Sequence, residues 1–323
     1  MTLRQQSHFS HSEKSEDGAI AVLVAISLIP LVLGLAVVVD SGRAWAEKTA
    51  LQNSVEATTA AAAIAWMKTG DICPSSVLTL LTRDDASPDS SRCTTTGTNA
   101  NGSIRVEGQD TFPLFFATLF GRTSASLVAS TTARIGTAGS LEGVWPIALC
   151  EFHPSIVAWR NSGFSLTTNN TITMRDGTSH CGGTASGNWG VVDFNGGSNS
   201  NAETSSWVQS GWSEPLDVGD LVPGNPGAVS TSMGIQSIVG QSIFIPLFDT
   251  ANLNGNNATF RISGFARGVL VSARLTGSSS SRSLTVRFQT AVVNREGINV
   301  GSGSNSGITT WAICAQDETG DCT

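Results

Sequence analysis

The side chains able to do chemistry are few and unevenly placed. Four histidines occur, His8 and His11 near the N-terminus and His153 and His180 far along the chain, with six cysteines at Cys73, Cys93, Cys150, Cys181, Cys314 and Cys322. An even number of cysteines confined to the later part of a chain reads as a disulfide set in an oxidising compartment. Proximity along the chain favours Cys73 with Cys93, Cys150 with Cys181, and Cys314 with Cys322. A competing pairing joins Cys150 to Cys314, because "VWPIALC" and "TTWAIC" read as strands that could lie side by side. If Cys150 pairs with Cys181, then Glu151, His153 and His180 are drawn toward one another, a donor set that a metal accepts. Polar residues beside a disulfide are the ordinary reading of such a cluster, so no metal and no cofactor are assigned.

Other catalytic signatures are absent. The chain holds no Gly-x-Ser-x-Gly elbow, no phosphate-binding glycine loop and no paired-carboxylate motif, and two distant histidines leave few members for a histidine-based site. "NLNGNN", Asn252 to Asn257, reads as a turn cluster. An enzyme is therefore not expected. A net charge of -7 argues against a nucleic-acid partner.

These residues are carried by a chain whose first part is membrane-like. From Ala19 to Val39 runs a charge-free apolar segment of 21 residues, bracketed by Asp17 and Asp40. As a helix it is about 31 Å long, the thickness of a hydrocarbon core. Ala44-Trp45-Ala46 offers a signal-peptidase pattern, but the apolar run is longer than a secretory segment and is preceded by Glu13, Glu16 and Asp17, so an uncleaved anchor is expected. Basic flanks do not orient it, since Arg4 and Lys14 balance Arg43 and Lys48. The cysteines, and the lack of lysine beyond Lys68, place residues 1–18 in the cytoplasm and the rest outside the cell membrane. From Asp40 to Lys68 the helix is expected to continue and to stop at Gly70. Leu51, Val55, Thr58 and Ala62 form a stripe on it, read either as a contact for another helix or as an alanine-rich face packed on its own domain.

The segment "GAIAVLVAISLIPLVLGLAVVVDSGRAWAEKTALQNSVEATTAAAA" resembles the N-terminal region of TadE/TadG-like proteins of the Flp (Tad) pilus assembly system. The residues carrying the resemblance are Gly18, Pro30, Asp40, Gly42-Arg43, Leu51-Gln52-Asn53, Glu56 and Ala60 to Ala63. It implies that "VVVDSGRAWA" is a membrane exit. Processed pilin-like subunits carry Glu five residues after the cleavage glycine, and here that position is Leu23, so the chain is closest to the TadG-like, uncleaved type. Larger Tad proteins can hold an Asp-x-Ser-x-Ser metal motif; Asp85 to Asp89 gives Asp-x-Ser-x-Asp and departs from it. The partners implied are the membrane and other Tad/Flp pilus or pilin-like proteins, with the stripe Leu51, Val55, Thr58 and Ala62 as the contact. The alternative is a tethered binding module or adhesin that recognises a surface ligand.

The expected fold class is a membrane-anchored α+β protein: a long N-terminal helix, a small pilin-like α+β unit within residues 40–139, and a mostly antiparallel β domain over 144–323. In the first unit "SIRVEG" and "SASLVASTTARIG" read as strands and "DTFPLFFATLFG" as a short helix buried against the long one. The second is a series of short apolar strands between Gly, Asn and Ser. Its tryptophans are expected mostly in the core, with Trp207 and Trp212 the pair that could form an exposed platform.

Overall fold

The computed structural model describes residues 17–82, 88–196, 201–225, 234–253, 257–293, 300–301 and 304–314. Helix α1 (Asp17–Thr69) is continuous over 53 residues with Pro30 inside it. It ends where expected: Gly70 takes φ 77° and its N–H reaches the Trp66 carbonyl at 3.0 Å, a left-handed stop that glycine adopts without a Cβ penalty. Next come α2 (Ser75–Leu78) and the strands β1 (Ser90–Thr98), β2 (Asn101–Pro113) and β3 (Ser124–Ala138). Beyond the linker lie β4 (Ser140–Leu141), β5 (Ile147–Cys150), α3 (Pro154–Asn161), β6 (Asn170–Thr173), β7 (Trp189–Val191) and α4 (Asn201–Ser210). The last third contributes β8 (Leu216–Asp217), β9 (Leu221–Pro223), β10 (Ser242–Asn252), β11 (Thr259–Arg274) and β12 (Ser283–Gln289). It closes with β13 (Ala291–Val292), β14 (Val300–Gly301) and β15 (Ile308–Ile313).

The first sheet has the order β1-β2-β3-β15-β13, with β14 also pairing with β3. Along β2, Ile104, Val106, Gly108 and Phe112 are buried while their neighbours are not, the period of two that lays one face on a core. That core is shared with α1, whose Leu51, Val55, Ala62, Ala63 and Trp66 join Ile104, Val106, Ala129, Ala133 and Ile135. "DTFPLFF" does not form the expected helix. Asp110 to Pro113 continue β2 opposite Leu127 to Ser124, and Pro113 favours extended backbone at Phe112. Only Ala117–Phe120 coils, as one 3₁₀ turn stopped by Gly121 at φ 79°.

The second sheet has the order β6-β12-β11-β10-β5-β7, with β9 on β11, and only β5 and β10 in it run parallel. Strand β5 is wholly buried: Ile147 and Leu149 enter one cluster with Trp145, Trp159 and Phe288, and Ala148 and Cys150 enter another with Phe248, Phe260 and Phe265. This second cluster also takes in Ala138, Ala291 and Ile308 from the first sheet.

A division into 40–139 and 144–323 therefore needs correction at its far end. Strands β13, β14 and β15 return to the first sheet, where β15 covers β3 from Ala133 to Thr137. Backbone groups along β3 would otherwise be an open edge. Strand β15 thus lies between β3 and β13 while β5 lies between β10 and β7, so "VWPIALC" and "TTWAIC" are not neighbours, and Cys150 is bonded to Cys181, which excludes a Cys150 to Cys314 bond. Disulfides join Cys73 to Cys93 and Cys150 to Cys181. The third pairing involves Cys322, which lies outside the described residues, as does most of Asp85 to Asp89.

Candidate functional site

The first half of α1 buries almost nothing. Val22, Leu23, Val24, Ile26, Leu28, Ile29, and Leu31 through Val39 with few interruptions expose large apolar side chains. Such a helix, apolar all round, suits lipid. It is the one helix among the described residues that is long and apolar enough to cross a membrane.

At the end of this segment the first sheet reaches down to the helix. The Asp40 carboxylate accepts backbone N–H bonds from Phe115 (3.0 Å), Phe116 (3.1 Å) and Ala117 (2.8 Å) at the tip of the β2–β3 hairpin. These are donors that the single 3₁₀ turn leaves without an internal partner. Arg43 stacks its guanidinium 4.7 Å from the Phe115 ring and lies 3.6 Å from Glu47. An apolar cleft lined by Leu33, Ala36, Val37, Leu114, Phe116 and Phe120 joins tip to helix. The expected burial of this aromatic run is corrected. Phe112 is buried, but Phe115, Leu119 and Phe120 are 61%, 74% and 70% exposed, because the tip lies beside the lipid-type half of α1 and has no further layer over it. Trp45, 73% exposed, sits one turn further up the same helix.

In the second half of α1, Leu51, Ser54, Val55, Thr58, Thr59, Ala62, Ala63 and Trp66 are buried at alternating spacings of three and one. Gly108 lies beneath this face, where an added Cβ would come within 3.2 Å of Val55 and 3.3 Å of Leu51. Thr58 and Thr59 return their hydroxyls to the Ser54 and Val55 carbonyls at 2.7 Å, so no polar group is stranded. The stripe Leu51, Val55, Thr58 and Ala62 is thus occupied by the chain's own sheet and is not a free surface for another helix. Of the two readings open from periodicity, tertiary packing selects the intramolecular one.

The Cys150–Cys181 bond does draw His153 and His180 together, with ring centroids 5.3 Å apart. Glu151 is not with them; its carboxylate is buried and takes Arg160 at 3.3 Å. The carboxylate that arrives is Asp176, 3.9 Å from His153 Nε2, and a ligand atom from each of the three lies within 4.8 Å of the others. Sequence reasoning missed Asp176; its signal is the Asp-Gly turn four residues before His180, with Gly177 at φ 98°. Asn188, fully buried, organises the loop: its Oδ1 meets His180 Nδ1 at 2.9 Å and its Nδ2 donates to Asp176 Oδ1 at 3.0 Å. Burial, then the neighbouring His180, hold the His153 imidazole below the ordinary histidine value against the opposing pull of Asp176. Desolvation raises Asp176, but the Thr178 N–H, the Asn188 amide and His180 outweigh it and leave the carboxyl below its usual range. Trp212 stacks on Phe194 at a centroid distance of 5.5 Å, and Trp207, which is buried, meets Phe194 and Trp212 edge-on at 5.5 and 5.3 Å.

Among the described residues, then, one helix long and apolar enough to cross a membrane carries two β-sheets on its second half and beyond. Residues 18–65 match the Tad family model, described as Flp pilus-assembly TadE/G-like. The matched range takes in the exposed half of α1, Asp40, and the docked half as far as Ala65. No curated protein matches the chain, and no solved structure does. The match supports a role associated with the Tad/Flp pilus, of a structural or assembly kind.

Proposed function

We propose that this chain is a single-pass, membrane-anchored structural or assembly component of a Tad/Flp-type pilus or related secretion machine, of the uncleaved TadG-like type. The observation that carries this reading is the coincidence of the family match with a helix that is apolar all round for one half and docked into its own sheet for the other. The N-terminus lies in the cytoplasm and the two sheets outside. The disulfides Cys73–Cys93 and Cys150–Cys181 in the later part of the chain and the absence of lysine beyond Lys68 support that orientation. Leu23 leaves no carboxylate between Ala19 and Val39 to pair with a neighbouring subunit's amino terminus, which supports retention in the membrane.

Docking of the second half of α1 supports a contact on its first half. With the stripe buried, pilin-like partners meet the exposed span itself, by side-by-side helix packing in lipid. The hairpin tip seats Phe115, Leu119 and Phe120 in the membrane interface, where aromatic side chains are at home. The test is deletion of the gene with complementation, read as surface pili and as co-purification of pilin-like proteins from membranes. Restored pili and co-purification are expected from the full chain but not from residues 40–323 alone. Normal pili without the gene, together with lost adhesion to a surface ligand, would instead favour a tethered binding module.

A further inference from the structure

The geometry points to a binding site for a divalent first-row transition metal, zinc by donor set, formed by His153, His180 and Asp176. Two imidazoles and one carboxylate converging from separate segments are a ligand set that suits zinc with a fourth position open to water. A single carboxylate among nitrogen donors does not suit calcium or magnesium, which take oxygen.

Each ligand is brought in by a different device. His153 is the N-terminal cap of α3, three residues after Cys150, and His180 directly precedes Cys181, so the disulfide brings both imidazoles to one place. Asp176 is held by the Thr178 N–H at 3.3 Å and by Asn188, both on Oδ1, which leaves Oδ2 turned to His153. Asn188 Oδ1 also takes the His180 backbone N–H at 3.3 Å, so this oxygen acts as an acceptor. Nδ1 of His180 is then the donor, and Nε2 keeps its lone pair. That arrangement, a histidine whose far nitrogen is held by a second residue, is how metal-binding imidazoles are oriented. The burial gradient fits too: His153 is buried, His180 half-buried and Asp176 exposed, so the open position faces solvent on the Asp176 side.

Binding requires two local changes. Nδ1 of His153 accepts the Ser155 N–H at 3.3 Å, so the neutral ring carries its hydrogen on Nε2. Ligation through Nε2 moves that hydrogen to Nδ1 and turns the ring off Ser155, whose N–H at the half-exposed first turn of α3 passes to water. Ligand atoms around zinc stand about 3.3 Å apart for bonds of about 2.05 Å in a tetrahedron. The 3.9 Å between His153 Nε2 and Asp176 Oδ2, and the other ligand-to-ligand separations of up to 4.8 Å, must close to that spacing by side-chain rotation.

The test uses the full chain in detergent without an affinity tag, with His8→Ala and His11→Ala in every sample so that the tail's histidines do not compete. Zn²⁺ is titrated against a chromophoric chelator and by calorimetry. One equivalent per chain is expected, with calcium or magnesium at millimolar concentration failing to displace it. His180→Ala and Asp176→Asn should each weaken the site by about 100-fold or more, above the 10–100-fold range typical of outer-shell changes. Metal-free melting and an intact Cys150–Cys181 bond establish that each variant is folded. His180→Gln, which keeps a polar group for Asn188, replaces the alanine change if that one unfolds. No stoichiometric uptake, uptake unaltered in both ligand variants, or displacement by calcium would each overturn the site. Because uptake is measured on the isolated chain, its outcome is independent of whether pili assemble.

Discussion

The two halves of α1 are one unbroken helix with opposite solvents. From Val22 to Val39 large aliphatic side chains point in every direction and remain uncovered, whereas from Leu51 to Trp66 a single face of mostly small residues is sealed against β2 and β3. Hydrophobicity alone does not distinguish them, since alanine makes the second half apolar as well. Side-chain size and its distribution around the axis do. Bulk all round prevents close approach of a flat sheet and leaves lipid as the fitting environment. Small residues on one face let a β-sheet come close, most closely where β2 carries Gly108. Asp40 marks the change of solvent and is also where the hairpin tip is tied to the helix.

The contrast can be broken most sharply by placing charge in the docked half. Leu51→Asp with Val55→Asp puts two unpaired carboxylates into a dry seam and should cost at least about 4 kcal/mol. The first sheet should become protease-sensitive while the chain stays in the membrane fraction. Two aliphatic-to-alanine changes in the span, Leu28→Ala with Leu35→Ala, should leave that protease resistance unaltered. If the span variant loosens the sheet and the seam variant does not, the assignment of the two halves is reversed.

Removing the covalent tie next to the docked half should come second. Cys73 and Cys93 are 20 residues apart, and opening that loop with Cys73→Ser and Cys93→Ser should destabilise the first sheet by about 3 kcal/mol in the chain-entropy model. Chemical denaturation checks the value, and a loss confined to the second sheet would contradict it. A smaller effect belongs to the contact itself. At Gly108→Ala the added carbon meets Val55 at 3.2 Å and Leu51 at 3.3 Å, so the helix must shift by a few tenths of an ångström, at about 1 kcal/mol. Unchanged or raised stability would mean the seam has room to spare.

The smallest effect on folding should come from the tip. Leu119→Ser removes a side chain that is 74% exposed and lies outside both the Arg43–Phe115 contact and the cleft, and should alter stability in detergent by no more than about 0.5 kcal/mol. In liposomes, however, the variant tip should become open to a water-soluble protease that leaves the parent uncut. Equal cleavage of both would remove the hairpin from the membrane interface.

Much of this contrast is legible before folding. A run without charge from Ala19 to Val39, the aspartate closing it and Gly70 at the helix stop are local properties of backbone and side chain. The same holds for the bonds Cys73–Cys93 and Cys150–Cys181, which join near neighbours in sequence. What sequence could not decide is where a satisfied pattern finds its partner. The stripe at Leu51 and Val55 has the same period whether it meets another helix or its own sheet, and the face of β2 and β3 around Gly108, more than 50 residues away, settles the choice. Strand β15 alternates equally well in either sheet, and the open edge of β3 claims it. Asp176 looked like an ordinary turn residue until Asn188 and the Cys150–Cys181 bond set it beside two histidines. Local chemistry determined the elements and their ends. Pairings between distant segments were decided by which buried faces and backbone edges remained to be covered once those elements met.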